Sequence, residues 1–258
     1  MTNNSRPLIL VVNDDGYQAK GLSALVHVAQ KFGNVVVVAP DGTRSGMSHA
    51  VTFNAPLRLT GITTDDNLTI YKTNGTPVDC VKLGQKVVLK DKKIDLILSG
   101  INHGSNSSIS VIYSGTVAAA LEGSIENFPS IAFSLLNYSE EADFSAAAFY
   151  AEKIVEKVLE NPLPPHTALN VNIPNVQRSD IKGMKITRQT KAFWHEEFIK
   201  RKDPNGKNYY WATGYLINED TGKDSCEWAL KNNYVSIQPL HFDLTAYEHI
   251  DKLKFLEK

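Results

Sequence analysis

At 258 residues, 42% of them hydrophobic and 21% charged, the chain can bury a sizeable core, which excludes a disordered or low-complexity architecture. Its 27 Lys+Arg against 28 Asp+Glu leave a net charge of -1, which excludes a protein built to wrap a nucleic acid polymer or coat an anionic membrane. No stretch approaches the roughly 20 apolar residues of a bilayer span, and the polar opening Met1 to Arg6 with its short apolar sequel lacks the form of a signal peptide. Cys80 and Cys226 stand far apart without CxxC or Cys/His spacing. They read as free thiols of a reducing compartment, with one structural disulfide as the alternative.

Leu8 to Val12 predicts a first buried strand. Leu22, Leu25, Val26, Ala29 and Phe32 then recur at amphipathic-helix spacing, and Gly33 ends the run. Val35 to Ala39, Ile94 to Ser99, Ile131 to Leu135 and Leu169 to Ile173 predict four more buried strands. The stripe from Phe144 to Leu159 predicts a helix between the last two. This alternation is that of βαβ units feeding a parallel sheet. From Val51 to Thr73 short alternating strands around Gly61 and Asp65-Asp66 predict a β excursion at the sheet edge. Beyond Gly183 the helices stop: Met184 to Arg188, Tyr209 to Trp211 and Tyr234 to Gln238 read as strands, with Asp203-Pro204-Asn205-Gly206 as a turn between long arms. Residues 1–183 thus read as an α/β domain and 184–258 as a β-hairpin extension with a polar final helix from about Thr245. Two strands cannot bury both faces, so the extension is expected to pack on another subunit.

In open α/β sheets ligands bind beyond the carboxyl ends of the strands. After strand one comes Asn13-Asp14-Asp15-Gly16, after strand two Asp41 to Gly46, and after strand three Gly100-Ile101-Asn102-His103-Gly104-Ser105-Asn106. Adjacent carboxylates repel unless a cation sits between them, and neutral Ser and Asn oxygens complete such a shell. Oxygen-only ligation favours Mg²⁺ or Mn²⁺ over Zn²⁺. Taken alone, Asn-Asp-Asp-Gly is a polar turn; its place after a buried first strand favours the metal.

Tyr113-Ser114-Gly115-Thr116-Val117 opens a helix running through Leu121 to Ile125. Its first-turn N–H groups and dipole suit a phosphate, while the plain alternative is a Ser N-cap over a helix packed closely on the sheet. Together these loops point to phosphate-ester hydrolysis with Asp14 and Asp15 as ligands, one of them also steering the attacking water. His49 and His103 are the histidines nearest these loops, each a candidate proton donor or a bystander. Cys80 reads as a buried structural thiol rather than a nucleophile.

These same segments, with Ala39-Pro40-Asp41, Arg44-Ser45, Gly75-Thr76-Pro77, Asp79-Cys80-Val81, Asn170 to Pro174, Tyr234 to Ile237, Pro239 to His241 and Asp243 to Thr245, resemble in order the signatures of the SurE family of stationary-phase survival proteins, which are 5′-nucleotidases. The resemblance implies a Rossmann-like, mainly parallel sheet flanked by helices, with a C-terminal hairpin and helix that exchange between subunits of a dimer or tetramer. It implies cytoplasmic location and one divalent metal ion per subunit, Mg²⁺ or Mn²⁺, on Asp14, Asp15, Ser45 and Asn102. Nucleoside 5′-monophosphates are the implied substrates, with 3′-monophosphates and polyphosphate as further ones. On this reading Asp14, Asp15 and Asn102 are the candidate catalytic residues, and Asn13, Gly104, Asn106, Ser114, Gly115 and Thr116 the phosphate-binding ones. The chain departs from the family pattern at Gly104-Ser105-Asn106, where Gly-Pro-Asn is usual, at Ser110, often an Asp, and at Ser225-Cys226 ahead of Trp228-Ala229. Two other readings stand beside this one. A haloacid-dehalogenase-type phosphatase would need Asp-x-Asp for its aspartyl nucleophile, and a non-catalytic nucleotide-binding module would hold its ligand unchanged. Tyr209, Tyr210 and Trp211 either stack on a base or pack on a partner subunit.

Overall fold

The computed structural model describes residues 6–257; the expectation for the opening segment lies, for residues 1–5, outside them. Among the described residues the strands are, in chain order, β1 (Leu8–Val12), β2 (Asn34–Pro40), β3 (Leu59–Asp65), β4 (Leu68–Thr73), β5 (Leu96–His103), β6 (Ser130–Leu135), β7 (Ala168–Ile173), β8 (Met184–Ile186), β9 (Ala192–Lys202), β10 (Asn208–Asn218) and β11 (Val235–Leu240). The helices are α1 (Lys20–Phe32), α2 (Pro77–Leu83), α3 (Ser110–Tyr113), α4 (Gly115–Ile125), α5 (Ser145–Glu160), α6 (Cys226–Lys231) and α7 (Ile250–Leu253).

One nine-stranded sheet runs β3-β4-β2-β1-β5-β6-β7-β11-β8, and β9 pairs only with β10. Strands β4, β2, β1, β5, β6 and β7 are parallel. A parallel strand in the middle of such a sheet is covered on both faces, which is why β1 reads as an unbroken apolar run. Its alternate side chains enter different layers: Ile9 and Val11 join the cluster under α1 and α5, whereas Leu10 and Val12 join the one containing Cys80 and Val81 of α2 and Ala119 of α4. Strand β2 repeats the division with Val35 and Val37 against Val36 and Val38. The α/β class and the parallel core are therefore as expected.

Helix α1 carries the predicted stripe and ends where Gly33 breaks it. Its approach to β5 is close enough that a Cβ on Gly21 would lie 2.0 Å from the Ile101 carbonyl oxygen. The β excursion is an antiparallel β3–β4 hairpin at the sheet edge, although no strand forms before Leu59. The third strand starts two residues later than Ile94 and runs on through Asn102 to His103. Helix α2 was not anticipated, because its seven residues are too few to show a period; what marks it is local, a Thr76/Asp79 capping box with Pro77 at the first turn.

The expected boundary between residues 183 and 184 does not divide the sheet. Strand β11 pairs antiparallel with β7 and parallel with β8, so both belong to the central sheet. Only the β9–β10 hairpin and the tail after β11 stand outside it, and the expected final helix is a single α-turn between 3₁₀ turns. No helix among the described residues is long and apolar enough to cross a membrane.

Gly21→Ala should destabilise the fold by about 1–3 kcal/mol, although alanine is the better helix former, because backbone lies where the methyl would go. The shift in the urea unfolding midpoint measures it.

Candidate metal and phosphate site

Strand order reverses at β1: the chain passes from β1 to β2 on one side and later to β5 on the other. The carboxyl ends of β1 and β5 consequently frame a crevice, the topological switch point where such sheets bind ligands. Asp14 and Asp15 leave β1 directly, and Asn102 occupies the end of β5.

Asp14 is 3% exposed. Its carboxylate accepts a hydrogen bond from the Thr116 hydroxyl in the first turn of α4, and its backbone carbonyl accepts from the Arg44 N–H at 2.7 Å. A Cβ on Gly115 would stand 3.1 Å from Asp14 Cβ and 3.2 Å from Oδ2, so glycine is what lets the helix start rest on this carboxylate. Gly16, at φ +103°, turns the loop back tightly enough to lie against Gly42. The loops after β1 and β2 and the start of α4 are thereby joined around one carboxylate.

Asp15 is half-buried and accepts from the His103 backbone N–H at 3.3 Å. Asn102 is 8% exposed, and its Nδ2 donates to the His103 and Gly104 carbonyls at 3.1 and 2.9 Å. With the nitrogen spent on the loop, the side chain's remaining polar atom is an acceptor oxygen. Burial first, and the charge of Asp15 second, push Asp14 up from 3.8 to about 6, against the lowering effect of Thr116. Burial raises Asp15 as well. Two adjacent carboxylates are thus withdrawn from water, and Thr116 and the His103 N–H do not offset the loss. Asn13 donates through Nδ2 to the Gly16 carbonyl at 2.9 Å, while its buried Oδ1 has no hydrogen-bond partner.

This donor chemistry fits a hard divalent cation. No group of three or more His, Cys, Asp or Glu side chains suited to a metal occurs among the described residues; the candidate set is two carboxylates with the neutral oxygens of Asn102 and Ser45. Ser45 is exposed and follows directly on Arg44, whose N–H is bonded at Asp14.

The residues expected to bind phosphate divide. Ser114 is the N-cap of α4 and accepts from the Val117 N–H at 3.1 Å; Gly115 follows as the first helical residue, where no helical carbonyl is in reach of its N–H. The Thr116 hydroxyl is committed to Asp14. Gly104 donates its N–H to the Leu135 carbonyl. Asn106 is part of the framework: its N–H bonds Asn172 Oδ1 at 2.8 Å, its Nδ2 bonds Ser134 Oγ at 2.9 Å, and its carbonyl accepts from Asn170 Nδ2 at 2.8 Å. Its donors hold the loop to β6 and β7. Asp79 also proves structural, accepting from the Thr76 N–H and from the N–H and hydroxyl of Thr52.

A cavity of about 370 Å³ opens beside Asp15, lined by Ala19, Lys20, Thr43, His103, Tyr138 and Glu140. Of the two histidines, His103 lies here, its Nδ1 donating to the Ser139 carbonyl at 3.0 Å. His49 instead pairs with the buried Glu122 at 2.9 Å in another groove. Lys20, Tyr138 and Glu140 escaped the sequence reading, yet Tyr138 follows the predicted fourth strand by only three residues and so sits where the carboxyl-end rule applies. Cys80 and Cys226 are free and buried.

The family model described as Survival protein SurE matches residues 9–196. The 5′-nucleotidase SurE of Flavobacterium psychrophilum is 53% identical over 250 residues, 96% of this chain and 97% of the relative. That of Flavobacterium johnsoniae is 52% identical over 97% of this chain and 96% of the relative. A crystal structure of the SurE protein from Aquifex aeolicus superposes with a TM-score of 0.84 at 44% identity, covering 98% of this chain and all of that one. With its sequence matched across most of its length and its fold matched throughout, the chain belongs to the SurE family.

Proposed function

We propose that this chain is a divalent-metal-dependent phosphomonoesterase that hydrolyses nucleoside 5′-monophosphates to nucleoside and inorganic phosphate. The substrate class rests on family membership and on the names carried by relatives about half identical over nearly all of their length. The metal dependence rests on one observation: adjacent carboxylates, Asp14 and Asp15, both drawn out of water at the switch point and both raised in pKa. In this reading Asp14, Asp15, Ser45 and Asn102 hold one Mg²⁺ or Mn²⁺ per subunit. Such an ion supplies Lewis-acid polarisation of a phosphoryl oxygen and of a water molecule.

The chain's own groups do the rest. Gly115 offers a first-turn N–H and the positive end of the α4 dipole to the phosphate. Thr116 acts through Asp14, fixing the carboxylate by its hydroxyl. Asp15, steadied by the His103 N–H, orients the attacking water and takes up its proton. A phosphoaspartyl route would need a second Asp two residues on, and that position is Gly16.

The hairpin and tail carry the expectation of self-association. Phe198, Tyr210, Trp211 and Tyr215 on β9 and β10 are all more than half exposed, as are Leu244, Phe255 and Leu256 in the tail. We read these apolar surfaces as contacts to further copies in a dimer or tetramer. Two buried free thiols accord with a cytoplasmic protein.

AMP or GMP with Mn²⁺ should release phosphate, a chelator should abolish it, and Asp14→Asn should lower turnover by at least about 100-fold with the fold retained by circular dichroism. Turnover unaffected by either change would remove the metal reading. Thr116→Val should weaken Mn²⁺ affinity by about 10–100-fold, the cost typical of losing a ligand's supporting hydrogen bond. The pH dependence has a definite sign. Because the folded pKa of Asp14 is raised, the unfolded chain ionises first, and metal-free stability falls by roughly 3 kcal/mol as pH climbs from about 4 through about 6. Mn²⁺ should therefore raise the thermal midpoint more at pH 7.5 than at pH 5. By sedimentation the full chain should be a dimer or tetramer, and shortening the hairpin across residues 193–217 should reduce the assembled mass.

A further inference from the structure

The cavity beside Asp15 has a wall that phosphate chemistry alone does not use. Tyr138 lines it while remaining 75% exposed, a large aromatic at the mouth of a polar site. Its ring is nevertheless located. A Cβ on Gly104 would fall 2.1 Å from Tyr138 Cε1 and 2.6 Å from Cδ1, so the ring is packed directly against a glycine at φ +98°. The loop that carries it is tied to the end of β5 and to α1. Gly104 N–H donates to the Leu135 carbonyl at 2.8 Å, and His103 Nδ1 donates to the Ser139 carbonyl at 3.0 Å. The Ser139 N–H bonds Asn137 Oδ1, and Glu141 is paired with Lys20 at 2.8 Å. An exposed aromatic on a mobile loop is unremarkable; one held in place beside a candidate catalytic carboxylate is a surface ready for a ligand.

The neighbours define what fits. Asp15 is bonded to the N–H of His103, and Tyr138 packs on Gly104, the next residue along the same chain. Asp15 and Tyr138 line the same cavity, so a molecule whose phosphate is held at the site beside Asp15 has the rest of its body directed along a wall that includes Tyr138. Lys20, Thr43 and Glu140 line the space between with groups able to bond hydroxyls. Flat, uncharged aromatic rings bind by stacking on such a platform, with little dependence on their hydrogen-bonding edge.

We propose that Tyr138 is the specificity-determining platform on which the nucleobase of a nucleoside monophosphate stacks, so that this wall of the cavity distinguishes nucleotides from other phosphomonoesters. The inference rests on the nucleotidase reading above and names the subsite for its base. The test compares wild type, Tyr138→Ala and Tyr138→Phe on AMP, GMP, UMP and ribose 5-phosphate with Mn²⁺. Tyr138→Ala should raise KM for AMP and GMP by about tenfold, and for UMP by less, with kcat little changed. Ribose 5-phosphate, which has no base, should be turned over as by wild type, which also reports that the variant is folded. Tyr138→Phe should restore nucleotide KM. Wild-type turnover of nucleotides with KM unmoved in Tyr138→Ala, or equal losses on ribose 5-phosphate, would overturn the platform alone. No phosphate release from any nucleotide by wild type would overturn the nucleotidase reading and the platform together.

Discussion

Two neighbouring carboxylates that cannot both shed their protons comfortably are what the rest of this structure is built around. Asp14 and Asp15 follow directly on the buried strand β1, withdrawn from solvent, and the charge of Asp15 adds to the burial that raises the proton affinity of Asp14. A fold optimised only for stability would not keep such a pair. Here a loop, a strand end and a helix start are committed to it: Arg44 bonds the Asp14 carbonyl, Thr116 the Asp14 carboxylate, His103 the Asp15 carboxylate, and Gly115 leaves room for the helix to approach. The supports arrive from β2, β5 and α4, elements distant in sequence, so the site exists only once the parallel sheet is assembled.

Much of this was legible from the residues, because buried strands and amphipathic helices leave patterns that depend only on burial. Leu8 to Val12 could be read as a central strand without knowing its neighbours, and a polar loop directly after it has a known use. The joint order of the SurE-like segments carried the family. What sequence could not convey was how side chains were divided between chemistry and framework. Thr116 and Asn106 look alike as phosphate donors in a list of polar loop residues. Only the packing reveals that one clasps Asp14 and the other is bonded to Ser134, Asn170 and Asn172. Helix α2 was hidden by its shortness, and Tyr138 because an aromatic in a loop has no periodicity to betray it.

Sulfur enters the framework at an instructive point. Cys226 is buried, and its Sγ accepts from the Ser108 N–H at 3.3 Å and the Thr190 N–H at 3.4 Å. It ties the segment following Asn106 to the stretch that leads into β9. Ser225 meanwhile caps α6 through the Trp228 N–H. The site loop is thus fastened to the extension with a buried thiol as the acceptor. The hairpin is anchored at its root, while its two arms expose their aromatics to whatever lies beyond the subunit.

The position of β11 has a consequence for how the chain is made. The strand that lies between β7 and β8 is drawn from residues 235–240, so the sheet holds a vacant slot until that segment has left the ribosome. Until β11 arrives, β7 presents an open edge of unsatisfied amides to the crowded cell, a lure for foreign strands. Strand β11 closes that gap, and a stop before residue 235 would leave a nascent protein with its candidate crevice encoded but its sheet unfinished.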